Sequence, residues 1–263
     1  MSDILINNVQ KVFKTPGGDV TALKDINLTV KQGEFVCLLG PSGCGKSTLL
    51  NAVAGFQPPS AGEIVIEGKK ILTPGPDRGM VFQEYALFPW MTVAQNIAFG
   101  LQIQKKEKAE IDLTVKQLLD LLHLKDFRDR FPKDLSGGMR QRVAIARVLA
   151  LDSPIMLMDE PFGALDALTR RNLQDELLRI WEKLNKTILF VTHSIEESIY
   201  LADRIVVMTY RPGTIKRDQY VTMPRPRDPS SHEFNELKRE LGRLVMEEQQ
   251  LHAADELKLA AVD

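Results

Sequence analysis

The sequence predicts an α/β fold built around a strand, a glycine-rich loop and a helix. Residues 34–39 (Glu-Phe-Val-Cys-Leu-Leu) are an apolar run typical of a buried strand, and a helical pattern follows from Lys46 to Gly55. The loop between them, residues 40–47 (Gly-Pro-Ser-Gly-Cys-Gly-Lys-Ser), fits the phosphate-binding pattern G-x-x-x-x-G-K-[ST]. A second apolar run ends on the carboxylates Asp159 and Glu160, and ligands bind at that end of the strands in an open α/β sheet. A nucleotide-binding core is therefore predicted.

Alternation of apolar and polar residues predicts the strands, and helical periodicity predicts the helices. An antiparallel hairpin is expected at the start, where Val20–Val30 follows a Pro-Gly-Gly turn, and Glu63–Glu67 is a further short strand. From Thr92 the pattern turns helical and stays so through Ile111 to Leu124, which predicts a largely helical insert of about residues 87–150. After Asp159, helices at about 168–184 and 196–202 alternate with strands at 187–192, 204–208 and 214–221.

Residues 224–229 contain three prolines and predict a linker. Beyond it, apolar residues recur at helical spacing: Phe234, Leu237, Leu241, Leu244 and Val245. This helix is expected either to pack on the chain's own core or to contact a partner copy or a regulator. We therefore expect a domain of residues 1–230 that carries the helical insert, followed by a C-terminal helix and tail at 231–263.

Each residue type in the loop at 40–47, called here the phosphate loop, has a chemical use. Glycines let successive backbone N–H groups point at one anion, and the helix start adds further N–H groups. Lys46 supplies a positive charge for the β- and γ-phosphates, and Ser47 supplies an oxygen for Mg²⁺. An ordinary glycine-rich turn is the alternative. The residues expected to bind the nucleotide are Gly40, Pro41, Ser42, Gly43, Cys44, Gly45, Lys46, Ser47 and Thr48.

The segment Leu135-Ser-Gly-Gly138, called here the signature segment, precedes a second helical pattern. Ser136 is a typical N-cap, and Gly137 and Gly138 leave the helix start open to a phosphate. A capped helix with a glycine-rich entry and no ligand is the alternative.

With these motifs in order, the chain resembles the ATPase subunits of ABC transporters from about Ile4 to about Val221. The resemblance implies a P-loop ABC ATPase core: a mixed sheet flanked by helices, an N-terminal antiparallel β subdomain and an inserted helical subdomain. The motifs that carry it are Phe13, the phosphate loop ending at Lys46-Ser47, Gln83 after a short strand, the signature segment, the pair Asp159-Glu160, the turn Ala164-Leu-Asp166 and His193 after the strand Thr187–Thr192.

The resemblance implies a role for each residue that binds ATP and Mg²⁺. Glu160 is the general base for the attacking water, and Asp159 joins Ser47 in holding Mg²⁺. Gln83 contacts Mg²⁺ and the water, and His193 contacts the γ-phosphate. Other interpretations remain open: a carboxylate at position 160 can cap a helix or loop, and polar residues after strands are often ordinary surface.

Two further roles involve the base and a second copy of the chain. Phe13 corresponds to the aromatic residue that stacks on adenine in the family, and a core residue of an edge strand is the alternative. Ser136, Gly137 and Gly138 serve the phosphate loop of a second copy, and Asp166 lies along the same interface. The resemblance therefore implies a head-to-tail dimer of ATPase subunits with two ATP molecules between them.

The stretch Glu84–Thr92 corresponds to the groove that receives a helix of the polytopic membrane permease in the family. Phe88 and Trp90 are apolar anchors of the kind that dominate interfaces, although a loop packed on the helical insert is the alternative. The stretches around positions 87–90, 159–169 and 193–203 are most similar to the importers of nitrate, bicarbonate, taurine and alkyl sulfonates, which use a substrate-binding protein outside the membrane. Another importer, a lipid or export system, or a soluble ABC protein acting on ribosomes or DNA are the other classes.

The charge balance, the cysteines and the lengths of the apolar runs help to choose among these classes of protein. Lys and Arg number 34 and Asp and Glu 35 in 263 residues, so no nucleic-acid-binding surface is expected. The two cysteines, Cys37 and Cys44, fit a reducing cytosol. The start predicts no signal peptide, and no apolar run approaches the roughly 20 residues that cross a bilayer. We expect a peripheral protein on the cytoplasmic face of the membrane.

Overall fold

The computed structural model describes residues 3–16 and 18–260, with the backbone alone for 256–260. Residues 1, 2, 17 and 261–263, which the predicted domain ranges include, lie outside the described residues. The chain folds into two compact units. The first combines Met1–Gly75 with Thr187–Asp263, and the second is Pro76–Lys186.

Strands and helices are numbered in chain order. The strands are β1 (Ile4–Thr15), β2 (Gly18–Val30), β3 (Phe35–Leu39), β4 (Ala61–Ile66), β5 (Lys69–Lys70), β6 (Arg78–Val81), β7 (Ile155–Asp159), β8 (Thr187–Thr192), β9 (Arg204–Met208) and β10 (Ile215–Tyr220). The helices are α1 (Lys46–Ala54), α2 (Val93–Ile103), α3 (Lys108–Leu121), α4 (Gly137–Ala150), α5 (Ala167–Leu184), α6 (Ile195–Leu201) and α7 (His232–Ala260).

The first unit contains two groups of strands. An antiparallel sheet has the order β2-β1-β4-β5, so the predicted N-terminal hairpin is confirmed. A mixed group has the order β10-β9-β3-β8, in which β3 runs parallel to both β8 and β9 and β10 runs antiparallel to β9. Every residue of β3 and β8 is buried, which explains why these strands are continuous apolar runs in the sequence.

The helix α7 packs on its own unit. Phe234, Leu241 and Val245 are all buried, so the apolar spacing noted in the sequence is the stripe of a helix that covers this chain's core. Midway along α7, the buried Glu248 carboxylate accepts hydrogen bonds from the Tyr210 backbone N–H at 2.8 Å and from Lys216 Nζ at 2.6 Å. The middle of α7 is therefore tied to the turn that follows β9 and to β10.

The 224–229 segment does more than link. Arg227 is buried and donates to the carbonyl oxygens of Ile199 and Ala202, each at 2.6 Å. Arg225 donates to the Leu201 carbonyl at 2.6 Å. These bonds satisfy the carbonyl groups that the C-terminal end of α6 leaves without helical partners.

In the second unit β6 runs parallel to β7, and the helices α2, α3, α4 and α5 accompany this pair. Val115, Leu118 and Leu119 form the buried stripe of α3, as their spacing predicts. The prediction of continuous helix from Thr92 to Leu124 is wrong in two places. The chain leaves the helical conformation between α2 and α3, where Lys105 has a left-handed φ of 56°. The helix α3 also ends at Leu121, before His123, whose φ of 53° is left-handed as well.

None of the helices formed by the described residues is both long and apolar enough to cross a membrane.

Candidate functional site

The phosphate loop joins β3 to α1 in the first unit. Gly45 is the N-cap of α1 and has a left-handed φ of 96°. A Cβ atom built onto Gly45 would lie 2.7 Å from Leu23 Cδ2 and 3.0 Å from the Ala22 carbonyl oxygen. Glycine is required here for both conformation and space, and the tip residues Ser42 and Gly43 are exposed.

Lys46 is buried inside this loop. Its Nζ donates to the carbonyl oxygens of Gly40 and Pro41, both at 2.8 Å, and lies 3.7 Å from Cys44 Sγ. These bonds hold the Lys46 ammonium group close to the loop backbone. The N–H groups of Gly45, Lys46 and Ser47 lie at the start of α1, next to the same loop. This geometry suits the binding of an anion.

A turn after β9 lies against the phosphate loop. The Gly213 N–H donates to the Ala22 carbonyl at 2.9 Å, and a Cβ atom on Gly213 would lie 2.2 Å from the Cys44 carbonyl oxygen. The same turn begins at Tyr210, whose N–H is bonded to Glu248 of α7. This support could not be predicted from the sequence, since the turn carries no nucleotide motif.

His193 follows β8 and is exposed. Its neighbours set the path of the loop: Thr192 Oγ1 donates to Glu197 Oε2 at 2.5 Å, and the Ser194 N–H donates to Thr192 Oγ1 at 3.0 Å. Ser194 Oγ accepts from the Glu197 N–H at 3.3 Å and caps α6. Thr192 and Glu197 thus hold the backbone on both sides of His193, and no sequence motif marks either of them.

Phe13 lies in β1 opposite Val20 and is half-buried. Lys11 Nζ lies 5.3 Å from the centre of its ring. The ring therefore keeps exposed surface, as a stacking residue needs, and its role in binding adenine remains a prediction.

The second unit contains the remaining predicted site residues, and two of them follow the ends of two paired strands. Val81 of β6 pairs with Met158 of β7. Gln83 comes two residues after Val81 and Glu160 two residues after Met158, so the two residues occupy equivalent positions on neighbouring strands. Asp159 is the last residue of β7. Glu160 has a left-handed φ of 42°, an uncommon conformation for a non-glycine residue that is often found at functional sites.

The signature segment begins α4. Ser136 is the N-cap, and its Oγ accepts from the Met139 N–H at 3.3 Å. Gly138 is buried, and a Cβ atom on it would lie 2.6 Å from Thr169 Cγ2. The glycines therefore allow the start of α4 to approach the start of α5 closely.

Asp166 is the N-cap of α5, and its Oδ1 accepts from the Thr169 N–H at 3.0 Å. This hydrogen bond to the ionised carboxylate lowers the pKa of Asp166. The structure therefore brings the predicted residues Ser136, Gly138 and Asp166 together at two neighbouring helix starts.

Trp90 lies in the loop of residues 82–92, called here the 82–92 loop, and 69% of its surface is exposed. Phe88 in the same loop is less free: its ring centre lies 4.5 Å from that of Phe99 and 5.6 Å from that of Trp90. The fully buried Asn96 side chain braces the loop by accepting from the Phe88 N–H at 2.9 Å and donating to the Met91 carbonyl at 3.0 Å. The exposure of Trp90 argues against a purely internal packing role.

Comparison with known proteins identifies the family. The family model described as ABC transporter matches residues 23–163. An uncharacterized ABC transporter ATP-binding protein of Methanocaldococcus jannaschii is 49% identical over 246 residues, which cover 92% of this chain and 91% of that protein. A taurine import ATP-binding protein of Roseobacter denitrificans is 50% identical over 83% of this chain and 82% of its own length.

A nitrate import ATP-binding protein of Synechocystis is 46% identical over 89% of this chain and 88% of its own length. Among solved structures, the dimeric post-hydrolysis state of an ATP-binding cassette bound to ADP and Pi matches with a TM-score of 0.74 and 33% identity. That match covers 84% of this chain and 100% of the other.

Proposed function

Because the chain belongs to the ABC transporter family, we propose that it powers the uptake of a small anion or oxyanion such as nitrate, bicarbonate, taurine or an alkyl sulfonate. The chain is an ABC ATPase that binds ATP. The observation that carries the function is the phosphate loop, with Lys46 held inside it and glycine required at position 45. The substrate class rests on the names of relatives, since an ATPase subunit does not itself contact the transported solute.

Hydrolysis needs positioning and charge stabilisation more than covalent chemistry. In this proposal Lys46 and the loop N–H groups bind the phosphates, and the Glu160 carboxylate accepts a proton from the attacking water. Gln83 orients that water, and His193 contacts the γ-phosphate.

The Ser47 hydroxyl and the Asp159 carboxylate are hard oxygen ligands of the kind that Mg²⁺ prefers, and Gln83 adds an amide oxygen. When bound, Mg²⁺ offsets negative charge on the β- and γ-phosphates.

The proposed working form is a head-to-tail dimer. One chain has one phosphate loop and one signature segment, and related cassettes are dimeric in solved structures. Ser136, Gly137, Gly138 and Asp166 of one copy then complete the ATP site of the other. The first N–H groups of α4 have no partners within the helix, as at any helix start, and suit a phosphate of that second site.

We further propose that polytopic permease subunits dock at Glu84–Thr92, with Trp90 as the exposed anchor. A substrate-binding protein outside the membrane completes the system, and the ATPase is peripheral on the cytoplasmic face. The braced 82–92 loop supports this because a docking surface is more effective when its conformation is fixed before binding.

Mixing two inactive variants tests the composite site. Ser136→Arg should abolish hydrolysis but leave nucleotide binding to the chain nearly intact, whereas Lys46→Ala should weaken binding itself. A mixed dimer has one site with both lesions and one with neither, so mixing should restore part of the ATPase activity. Wild type mixed with each variant is the control. If Ser136→Arg alone fails to bind ATP, or if mixing restores nothing, the head-to-tail site is wrong.

A further inference from the structure

Two consecutive residues of the 82–92 loop have an uncommon backbone conformation. Tyr85 and Ala86 have left-handed φ values of 61° and 47°, and neither is a glycine. Such residues cost free energy and persist only where the surrounding structure holds them. The conformation therefore identifies a part of the loop that is under constraint.

Arg147 of α4 supplies that constraint. Its guanidinium donates to the Ala86 carbonyl at 2.6 Å and to the Tyr85 carbonyl at 3.3 Å. The guanidinium also lies 5.5 Å from the centre of the Phe88 ring, and burial lowers its pKa. The backbone of the 82–92 loop is thus fixed to α4, the helix that the signature segment begins.

The Tyr85 side chain reaches the first turn of the same helix. The Arg140 guanidinium lies 5.5 Å from the centre of the Tyr85 ring. A Cβ atom built onto Gly137 would lie 3.3 Å from the Tyr85 hydroxyl and 3.3 Å from Leu165 Cδ2. The space beside Gly137 that a side chain would need is therefore bordered by Tyr85 and by Leu165, which precedes Asp166.

We propose that Tyr85 is a positioning residue for the signature segment. Its side chain fixes the start of α4 at Gly137, and its backbone belongs to the loop that carries Trp90. A movement of the 82–92 loop therefore changes the position of Gly137. Tyr85 thus links permease docking to the ATP site completed on the second copy. The inference rests on the proposed function.

If Tyr85 positions the signature segment, its truncation should lower turnover without weakening nucleotide binding. A tyrosine that only stabilised the fold would affect both properties together. Tyr85→Ala leaves the chain's own phosphate loop intact, so nucleotide binding to the isolated chain should stay within about twofold of wild type. The turnover rate of the dimer should fall by about 10–100-fold, since small misplacements of positioning groups have effects of that size. Tyr220→Ala is a matched control, because Tyr220 is exposed and its ring also lies close to an arginine, 5.3 Å from Arg204.

Mixing the Tyr85→Ala and Lys46→Ala variants shows which of the two ATP sites Tyr85 affects. If Tyr85 acts on the signature segment, its mixed dimer with Lys46→Ala has one undamaged site, and activity should rise above that of either variant alone. If Tyr85 acts on its own phosphate loop, both sites are damaged and nothing is restored, which overturns the proposal. Ser136→Arg mixed with Lys46→Ala runs in parallel. Rescue there without rescue for Tyr85→Ala rejects only the role of Tyr85, whereas no rescue in either mixture rejects the head-to-tail site.

A second pair of variants tests the contact itself, in case Tyr85→Ala unfolds. Tyr85→Phe keeps the ring beside Arg140 and removes only the hydroxyl next to Gly137. Gly137→Ala should lower the melting temperature less in the Tyr85→Phe background than in wild type, because the hydroxyl no longer crowds the added methyl group. Additive changes in melting temperature would contradict the proposed contact.

Discussion

Cys44 illustrates how a single residue is built into the phosphate loop. Its side chain has no exposed surface, and a Cβ atom built onto Gly40 would lie 2.8 Å from its Sγ. Burial raises the pKa of the Cys44 thiol, although the nearby Lys46 charge opposes the shift. Burial raises the pKa of Cys37 well above its usual range as well. Both thiols are therefore expected to stay protonated and inert at neutral pH.

This expectation is testable with a thiol reagent. In the folded protein at pH 7.5, a reagent such as dithiobis-nitrobenzoate should react with both cysteines at least about 100-fold more slowly than in urea. Since both folded-state pKa values lie above the ordinary value of 9.0, the stability contributed by the thiols is present below that pH and falls as the pH rises further. The Cys37→Ala variant leaves Cys44 as the single cysteine of the chain and so shows which thiol gives which reaction rate. Rapid reaction of Cys44 in the native protein would contradict this packing.

At the residue scale, the sequence was informative where a chemical motif dictates residue type. Lys46, Ser136 and Asp159 were predicted because phosphate and Mg²⁺ binding restrict the residues that can serve. Tyr85 and Glu197 were not predicted, since a tyrosine or glutamate in a loop or short helix has no such restriction. Their importance depends on the contacts that the fold creates with Gly137 and Thr192.

At the scale of elements, the 82–92 loop depends on one buried amide. Asn96 has no exposed surface, and its two polar atoms bond to the Phe88 N–H and to the carbonyl oxygens of Phe88, Met91 and Thr92. Removing this side chain takes one hydrogen bond from each of these groups. The Phe88 and Thr92 carbonyl oxygens keep the backbone N–H groups of Met91 and Asn96 as donors, so the loss of free energy falls mainly on the Phe88 N–H and the Met91 carbonyl. The loop can therefore present Trp90 in a fixed position.

Trp90→Ala should weaken permease binding without loss of stability, whereas Asn96→Ala should lower the stability of the fold. Because Trp90 is exposed, its truncation should change the free energy of unfolding by less than about 0.5 kcal/mol while weakening permease binding by about 2 kcal/mol or more. Asn96→Ala should lower the free energy of unfolding by about 3 kcal/mol. Thermal unfolding and co-purification with the permease measure the two effects. A large drop in melting temperature for Trp90→Ala would defeat the docking role.

Element types were predictable wherever the apolar pattern was long. The apolar residues of the sequence predict the strands β3 and β8 and the buried stripe of α3. A strand buried on both faces is a continuous apolar run, and a helix buried along one stripe has apolar residues at helical spacing. The interruption at Lys105 was not predictable, since a single residue in the left-handed conformation hardly changes the pattern. The capping role of Arg227 was also hidden, because it depends on the long-range position of α6.

At the scale of the whole molecule, oligomerisation should depend on nucleotide. Glu160→Gln removes the proposed general base but not the phosphate-binding groups, so turnover should fall by about 10²–10⁴-fold while ATP still binds. Unhydrolysed ATP should then hold two copies together, and size-exclusion chromatography with Mg-ATP should show a dimer. The same variant without nucleotide is the control. Near-normal turnover of Glu160→Gln would exclude the assigned role of this carboxylate.

The exposed indole of Trp90 also makes the protein its own optical reporter. The chain contains two tryptophans, and the other, Trp181, lies on α5. A Trp181→Phe background leaves a single fluorophore whose solvent-exposed ring emits at long wavelength. Burial of that ring beneath a partner should shift its emission to the blue and shield it from iodide quenching. Engagement of the membrane subunits could thus be followed in real time without any added dye.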